Sequence, residues 1–561
     1  MTVRPMPAQQ DFLLLGSPIF TDPRRAQLVA SHGPLAGWQD ALNADLAGAA
    51  AGVDGSFAVA IHLPGGRVYL ATDRFSICTM CYRVADGVLR FATRADELAD
   101  KDTTIDPQAI FDYLHFHCIP SPRTIYKGIF RMPPGHYALF ANGELTVAPY
   151  WRPHFDEQRT PSFKALQQEF RHLLQEAVGT HLDDSQPACF LSGGTDSSTV
   201  AGMAALASGR QPATYSIGFD AQGYDEMEFA RLAARHFNTE HHEYYVTPDD
   251  LVRSIPDMAE HLDQPFGNSS VLPTYYCAKL ARDNGVTKLL AGDGGDELFG
   301  GNSRYAKQRM FGWYHHFPAF LRKGVVEPFL ESRVAGIVPL GRKAASYVEQ
   351  ACAPMPDRLR MYNLIMRLGP NAVLAPKLLA QVDIDSPLRW QRGVWRSTEG
   401  CSDLNRELAF DWRFTLAESD LPKVRSATGF AGVDVAFPLL DNRLLAFSSK
   451  LPTEYKLKGL QLRWFFKEAL RGFLPDAIIA KKKQGFGLPF GVWANQNSAL
   501  NTLARRSLES LADRGVVRAD FIETLLTTHL PSHPGYFGEM VWILMMLEQW
   551  FQSHAPTYRV D

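Results

Sequence analysis

The sequence is poor in several features that would assign it to large classes of protein. Its seven cysteines are an odd, scattered set, which predicts reduced thiols rather than a disulfide framework. The most apolar late run, residues 540–547, is far too short to cross a bilayer and predicts a buried helix instead. No signal-peptide pattern is found among the first residues, so the cytoplasm is the expected location.

The charge and the missing motifs exclude further classes. A net charge of −3 gives no electrostatic reason to expect nucleic acid or an anionic membrane as a partner. The pattern Gly-x-x-x-x-Gly-Lys-Ser/Thr is absent, which argues against a P-loop kinase or ATPase. One Cys-x-x-Cys pair, Cys78 and Cys81, has no second pair of ligands near it, so core or turn cysteines are expected there rather than zinc.

What is present is an α/β pattern in two parts. Residues 1–155 form a β-rich unit with three predicted hairpins, whose turns are Pro64-Gly65-Gly66, Asp86-Gly87 and Asn142-Gly143. A polar stretch, residues 152–161, is a predicted linker. In the second unit, residues 160–555, predicted buried strands alternate with helices, which favours a doubly wound parallel sheet. These strands are 188–191, 214–219 and 288–291, and the chain beyond residue 305 is predicted to be mostly helical.

The most informative motif is LSGGTDSS, residues 191–198, between a predicted strand and a predicted helix. Two glycines let the backbone approach a phosphate closely, and the first turn of the helix presents free N–H groups to an anion. Serine hydroxyls add donors, and Asp196 can hold Mg²⁺. The alternative is a serine-rich N-cap on an ordinary helix.

Two further motifs carry acidic and basic groups. Residues 291–301, AGDGGDELFGG, place Asp293 and Asp296 on a glycine-rich loop after the third predicted strand, where they could bind a metal or transfer protons. Residues 481–489, KKKQGFGLP, include Lys483, which could neutralise a departing phosphate group. A solvated glycine turn and a solvated lysine cluster are the alternatives.

In this order, the motifs resemble the synthetase domain of the asparagine synthetase family, and the first loop resembles the pyrophosphate loop of N-type ATP pyrophosphatases. The resemblance covers residues 160–550 and includes further segments in the family's order: Tyr215–Phe219, Asp263–Phe266, Lys423-Val424, Phe437–Asp441 and Leu451-Pro452. It implies an enzyme that binds ATP and Mg²⁺ and activates a carboxylate as an acyl-adenylate. An amine then attacks this intermediate and forms an amide.

The resemblance also implies roles for individual residues. Leu191 and Ile217 would line the adenine pocket, and Gly292 would contact the adenylate. Asp196 and Asp296 would bind Mg²⁺. Asp293 would lie beside the reacting carbonyl, and Lys483 would meet the departing pyrophosphate. The phosphates would be held by Ser192, Gly193, Gly194, Asp196 and Ser197.

The first unit resembles the family's N-terminal glutaminase domain, which has an Ntn-hydrolase fold, but only in its later half. Segments 54–58, 73–75 and 132–136 match, whereas Thr2 stands where the family has a nucleophilic cysteine, and no cysteine precedes Cys78. The glutamine-binding stretches expected before Asp54 are also absent. We therefore expect that this domain does not hydrolyse glutamine.

The resemblance leaves several functions open, because branches of the family that lack the nucleophilic cysteine include lasso-peptide cyclases. The preferred one is a lasso-type macrolactam cyclase, which joins the N-terminal amine of a precursor peptide to an Asp or Glu side chain and works with leader-binding and protease partners. An ammonia-dependent asparagine synthetase is the alternative, and a non-catalytic scaffold is an alternative of another class. A tRNA thiouridylase shares the first loop but lacks support, since no basic patch is present.

Overall fold

In the computed structural model the described residues are 11–157, 162–314, 318, 320, 322–323, 339–482 and 487–561, without the side chains of 339–342. The N-terminal part contains the strands β1 Phe12–Phe20, β2 Val53–Leu63, β3 Arg67–Thr72, β4 Cys81–Ala85, β5 Val88–Ala92, β6 Phe130–Arg131, β7 His136–Ala141 and β8 Glu144–Pro149. Its helices are Pro23–His32, Pro34–Ala44, Ala49–Gly52, Asp96–Leu98 and Pro107–Phe116.

These strands form two antiparallel sheets, in the orders β1-β2-β3-β7-β8 and β5-β4-β6. All three predicted hairpins are confirmed, since β2 pairs with β3, β4 with β5 and β7 with β8. In the turn between β7 and β8, Asn142 and Gly143 have φ values of 53° and 79°, the left-handed conformations that such a tight hairpin requires. One face of the larger sheet packs on the two helices Pro23–His32 and Pro34–Ala44, and the other packs on the smaller sheet.

The second part is built on five parallel strands in the order β11-β10-β9-β12-β13. Their bounds are β9 Ala188–Phe190, β10 Ala213–Phe219, β11 Glu240–Val246, β12 Lys288–Leu290 and β13 Asp434–Ala436. The first three strands extend the sheet in one direction and the last two extend it in the other, so the strand order reverses between β9 and β12. The predicted mixed α/β fold with a parallel sheet is therefore confirmed, and the two loops with glycine motifs follow the strands on either side of this reversal.

Helices surround and extend this sheet. Before residue 315 they are Phe163–Gly179, Thr195–Ser208, Met227–Phe237, Pro248–His261, Val271–Asp283, Gly295–Phe299 and Ser303–Tyr314. From residue 339 onward they are Pro339–Cys352, Asp357–Tyr362, Leu364–Leu368, Pro370–Val373, Pro376–Leu379, Ser386–Arg396, Asp403–Asp411, Trp412–Asp420, Leu421–Ala431, Pro438–Leu440, Asn442–Lys450, Thr453–Lys456, Trp464–Ala469, Asp476–Ala480, Phe490–Gln496, Ser498–Asp513, Ala519–Thr524, Leu525–His529, Leu530–Ser532 and Pro534–His554. A short hairpin, β14 Leu457–Lys458 and β15 Gln461–Leu462, completes the list.

The apolar run 540–547 lies in the helix Pro534–His554 and is buried along its whole length, as predicted. This helix packs in the largest core cluster together with the helix Pro107–Phe116 of the N-terminal part. Within the described ranges, no helix is long and apolar enough to cross a membrane. All seven cysteines lie in those ranges and are free thiols.

Candidate active site

The loop after β9 has the tight geometry that its glycines predict. The amide of Ser192 donates to Ser197 Oγ at 3.1 Å, and the hydroxyls of these two serines are 3.0 Å apart, so the loop closes on the first turn of the helix Thr195–Ser208. Gly193 has a φ of 68°, and a Cβ at this position would lie 2.4 Å from the amide nitrogen of Ala230. Only glycine fits here, because both the backbone angle and the neighbouring helix exclude a side chain.

The loop after β12 packs directly on the first loop. A Cβ on Gly292 would lie 2.8 Å from the amide nitrogen of Ser197, and one on Gly295 would lie 2.3 Å from Asp196 Oδ1. The two motifs, about one hundred residues apart in the chain, thus meet at the carboxyl ends of adjacent strands. This is where parallel α/β sheets bind ligands.

One arginine that no sequence motif singled out joins the two loops. Arg463 is almost fully buried, and its guanidinium donates to Asp196 Oδ1 at 2.7 Å and also pairs with Asp296. It also donates to Thr195 Oγ1 at 2.9 Å. Both aspartates therefore direct carboxylate oxygens at one position, which the guanidinium of Arg463 occupies.

The arrangement of Asp196 and Asp296 can be compared with the ligands that Mg²⁺ requires. Mg²⁺ in nucleotide enzymes is usually held by one or two carboxylates together with phosphate oxygens and water. Asp196 and Asp296 supply two carboxylates that already share one cationic partner, so the donor set fits the metal. Within the described residues, no group of three or more His, Cys, Asp or Glu side chains forms a metal site by itself.

Asp293 lies in a second charged group, with Lys423 and Asp420. Lys423 Nζ is 3.6 Å from Asp293 Oδ1 and 3.4 Å from Asp420 Oδ1. Burial raises the pKa of Asp293 above its usual value, and Lys423 opposes this shift. Asp420 ends the segment Trp412–Asp420, a stretch of π-helix of the kind often found at functional sites. Lys423 belongs to one of the segments that resemble the family, whereas Asp420 belongs to none of the sequence motifs.

A cavity of about 1250 Å³ connects these groups. Among the residues predicted to bind ATP, Mg²⁺ or the reacting carbonyl, those that line it are Leu191, Ser192, Gly194, Asp196, Ser197, Ile217, Gly292, Asp293 and Asp296. Gly193 is not on the cavity wall, since it packs against the helix Met227–Phe237. Lys483 lies outside the described residues. Its neighbour Lys481 does line the cavity and pairs with Glu226 at 3.2 Å.

Gln264, in the family-like segment Asp263–Phe266, and the nearby Asn268 have different surroundings. Asn268 lines the cavity, and its amide donates to Ser419 Oγ at 3.2 Å. Gln264, by contrast, accepts a bond of 3.0 Å from the amide of Ile125, so it joins the N-terminal and C-terminal parts of the chain and does not line the cavity.

Comparison with known families agrees with this architecture. The family model described as asparagine synthase matches residues 169–552, about two thirds of the chain. The chain belongs to the asparagine synthase family. A second model, described as glutamine amidotransferase domain, matches residues 47–151.

Related proteins lead to the same assignment. Asparagine synthetase (glutamine-hydrolyzing) 1 of Bacillus subtilis is 26% identical over 519 residues, which cover 90% of this chain and 78% of the relative. A putative asparagine synthetase (glutamine-hydrolyzing) of Mycobacterium bovis is 25% identical over 415 residues, covering 72% of this chain and 61% of the relative. A putative asparagine synthetase (glutamine-hydrolyzing) 2 of Methanocaldococcus jannaschii is 32% identical over 271 residues, 46% of this chain and 51% of the relative. This member of the family is thus an ATP-dependent carbon–nitrogen ligase.

Proposed function

We propose that the chain forms an amide in two steps at the cavity between the loops after β9 and β12. In the first step, a carboxylate oxygen of the substrate attacks the α-phosphate of ATP, and pyrophosphate leaves. In the second, an amine nitrogen attacks the carbonyl carbon of the acyl-adenylate, and AMP leaves with the bonding electron pair. The observation that carries this proposal is the convergence of Asp196 and Asp296 on one cationic position beside the loop 191–198.

The predicted site residues have separate tasks in this scheme. The amides and hydroxyls of the loop 191–198 would hold the phosphates, because N–H groups at a helix start attract anions. Asp196 and Asp296 would hold Mg²⁺, which neutralises negative charge on the pyrophosphate. Lys483 is proposed for the same end of the triphosphate. Asp293 would accept a proton from the attacking amine, since burial makes this carboxylate more basic than an exposed one.

The amine, in this proposal, does not come from glutamine hydrolysis in the N-terminal part. Its three cysteines, Cys78, Cys81 and Cys118, lie in the described ranges, and burial raises the pKa of each thiol. For Cys78 the pKa rises to about 12, so the nucleophilic thiolate is scarce at neutral pH. The nitrogen would then be ammonia or an amine of the substrate itself.

Within this scheme we favour a peptide substrate, closed into a macrolactam between its N-terminal amine and an Asp or Glu side chain. The cavity of about 1250 Å³ is larger than the roughly 300–1,000 Å³ usual for small-molecule sites, which leaves room beside ATP for more than an amino acid. Precursor-peptide, leader-binding and protease partners belong to the same proposal. The asparagine synthetases among its relatives support the second candidate, amidation of aspartate by ammonia.

Mass spectrometry of the purified chain with Mg·ATP, aspartate and ammonium separates these candidates. Asparagine formed together with an equal amount of AMP would identify the ammonia-dependent synthetase and contradict the macrolactam proposal. If aspartate is left unchanged, synthetic peptides with a free N-terminal amine and an internal Asp or Glu are tested next. A product lighter than the peptide by one water, formed with AMP, is the result expected of a cyclase.

Asp196→Asn tests the phosphate end of the site. The variant keeps the size of the side chain but removes one of the two carboxylates, so pyrophosphate release should fall by at least about 100-fold. Asp196 lies in the first turn of the helix Thr195–Ser208 and pairs with the buried Arg463, so thermal unfolding of the variant is measured alongside its activity. Pyrophosphate release is measured with whichever substrate proves active, and turnover at the rate of the unchanged protein would contradict the assignment.

A further inference from the structure

One corner of the cavity contains a carboxylate for which the scheme above has no use. This corner of the cavity is lined by Phe116 and His117 from the N-terminal part and by Asn268, Ser269 and Glu539 from the C-terminal part. We call it the Glu539 corner. Glu539 lies on the helix Pro534–His554, next to Gly538, where a Cβ would lie 2.5 Å from the Cα of Gly491 in the helix Phe490–Gln496. The backbone that carries Glu539 is therefore fixed by close helix packing.

No positive side chain balances this carboxylate within the described parts of the chain. Its hydrogen-bond partner there is the hydroxyl of Ser269, which donates to Glu539 Oε2 at 3.4 Å. His117 does not supply a charge, because burial lowers the pKa of its imidazole to about 4. Burial also raises the pKa of Glu539 to about 7, so the side chain is anionic in mildly alkaline solution. A half-buried anion with one weak neutral partner is costly unless a cation joins it.

A series of contacts links the Glu539 corner to the groups proposed for acyl transfer. Ser269 follows Asn268, whose amide donates to Ser419 Oγ at 3.2 Å. Ser419 precedes Asp420, the partner of Lys423, and Lys423 reaches Asp293 at 3.6 Å. The corner thus lies on the same continuous wall as the carboxylate that we place beside the reacting carbonyl.

We infer that the Glu539 corner binds the ammonium group of the attacking amine, with Glu539 as its counter-ion and Ser269 and Asn268 as neutral partners. This inference rests on the proposed function, because it assigns the nucleophile of that reaction to one part of the cavity. It identifies the nucleophile as a primary ammonium group, which in the favoured reaction is the N-terminal amine of the peptide. A metal ion is a poorer occupant, since one carboxylate with neutral oxygens is a small ligand set for a divalent cation.

The test is binding of glycinamide, a primary ammonium compound without a free carboxylate, to the full-length chain in mildly alkaline buffer. Calorimetric titrations are run with and without Mg²⁺ and a non-hydrolysable ATP analogue. Acetamide, which lacks the ammonium group, is the matched ligand. Glycinamide should bind and acetamide should not. Glu539→Gln, which has nearly the same shape, should weaken glycinamide binding by at least about tenfold, the usual loss for a charge-assisted hydrogen bond.

Glu260→Gln, the same chemical change at an exposed position of the helix Pro248–His261, is the matched variant and should bind glycinamide like the unchanged chain. The ATP analogue should bind equally to all three proteins, which separates a local effect from misfolding. Equal glycinamide affinity in the Glu539 variant, or no binding to the unchanged chain, would overturn the inference. If the unchanged chain does not bind the ATP analogue, that result contradicts the proposed function. The titration of glycinamide without nucleotide then still tests whether the Glu539 corner binds an ammonium group.

Discussion

At the scale of single residues, the charge balance between Arg463 and the two aspartates decides how the site behaves without nucleotide. Arg463→Met leaves Asp196 and Asp296 facing each other without this cation, and removing one partner of a buried ion pair typically costs about 3–5 kcal/mol. The variant should therefore unfold at a lower temperature in the presence of a chelator. Millimolar Mg²⁺ should restore part of the loss, because the metal then binds the two carboxylates.

A matched variant and the unchanged protein make this thermal-unfolding experiment decisive. Arg471→Met removes the same side chain from a half-exposed pair with Glu468, which is worth about 0–1 kcal/mol at most. It should change the unfolding temperature little, with or without Mg²⁺. Mg²⁺ should raise the unfolding temperature of the Arg463 variant more than that of the unchanged chain. If the two increases are equal, the guanidinium does not compete with the metal for this position.

At the scale of elements, neighbouring glycines of the first loop should respond differently to the same change. Gly193→Ala forces a Cβ to within 2.4 Å of the Ala230 backbone at a φ of 68°, which we expect to destabilise the protein by about 1–3 kcal/mol. Gly194 has an ordinary φ of −80°, and a Cβ at this position would meet only the Ser192 hydroxyl, at 3.3 Å. Gly194→Ala should therefore destabilise the protein less than Gly193→Ala. Thermal unfolding without nucleotide measures the difference, and equal effects of the two variants would contradict this description of the loop.

The elements that could be predicted from sequence are those whose signals are local. The hairpins have left-handed turn residues, and β9 and β12 are apolar segments that run directly into glycine motifs. β1 was missed because Gly16 and Pro18 interrupt its pattern, although it pairs with β2 over nine residues. β11 was missed because it is a polar edge strand, and β13 because its three residues, unlike those of β9 and β12, are not followed by a glycine motif.

The parts of the site that escaped prediction are set by tertiary packing. Arg463 contacts Asp196 although the two residues are 267 positions apart in the chain. Its backbone has a left-handed conformation that no local sequence motif predicts. Asp420 and Glu539 lie on helices and line the cavity, but the sequences of these helices do not predict that either side chain lies there. Conversely, the roles predicted for Leu191, Ile217 and Lys483 remain predictions, since they came from the family resemblance.

At the scale of the whole molecule, the N-terminal part is joined to the C-terminal part by polar contacts as well as by a shared core. Tyr113 donates to the carbonyl of Ile543 at 2.8 Å, and Arg94 donates to that of His261 at 2.9 Å. The helix that carries Tyr113 ends at Phe116, on the cavity wall. The N-terminal part therefore contributes to the wall of the cavity.

Glu418 is a buried ionic link between the two parts. It pairs with Arg131 of the N-terminal part and with Arg413, and it accepts from the hydroxyl of Ser121 at 2.6 Å. Burial alone would raise its pKa, but the two arginines and Ser121 outweigh burial, and the pKa is below its usual value. The ionised carboxylate therefore stabilises the folded chain above the ordinary glutamate pKa. This stability is lost as the pH falls through the lowered value of the folded state.

Glu418→Gln should consequently cost about 3–5 kcal/mol near neutral pH, because it leaves two largely buried arginines without their counter-ion. The difference from the unchanged chain should shrink as the pH falls from the ordinary glutamate pKa through the lowered value of the folded state, where protonation removes the same charge from the unchanged chain. Thermal unfolding from neutral to acidic pH measures this difference. Glu509→Gln, at an exposed helix position, controls for the loss of one surface carboxylate. A difference that stays constant with pH would show that the Glu418 charge does not hold the two parts together.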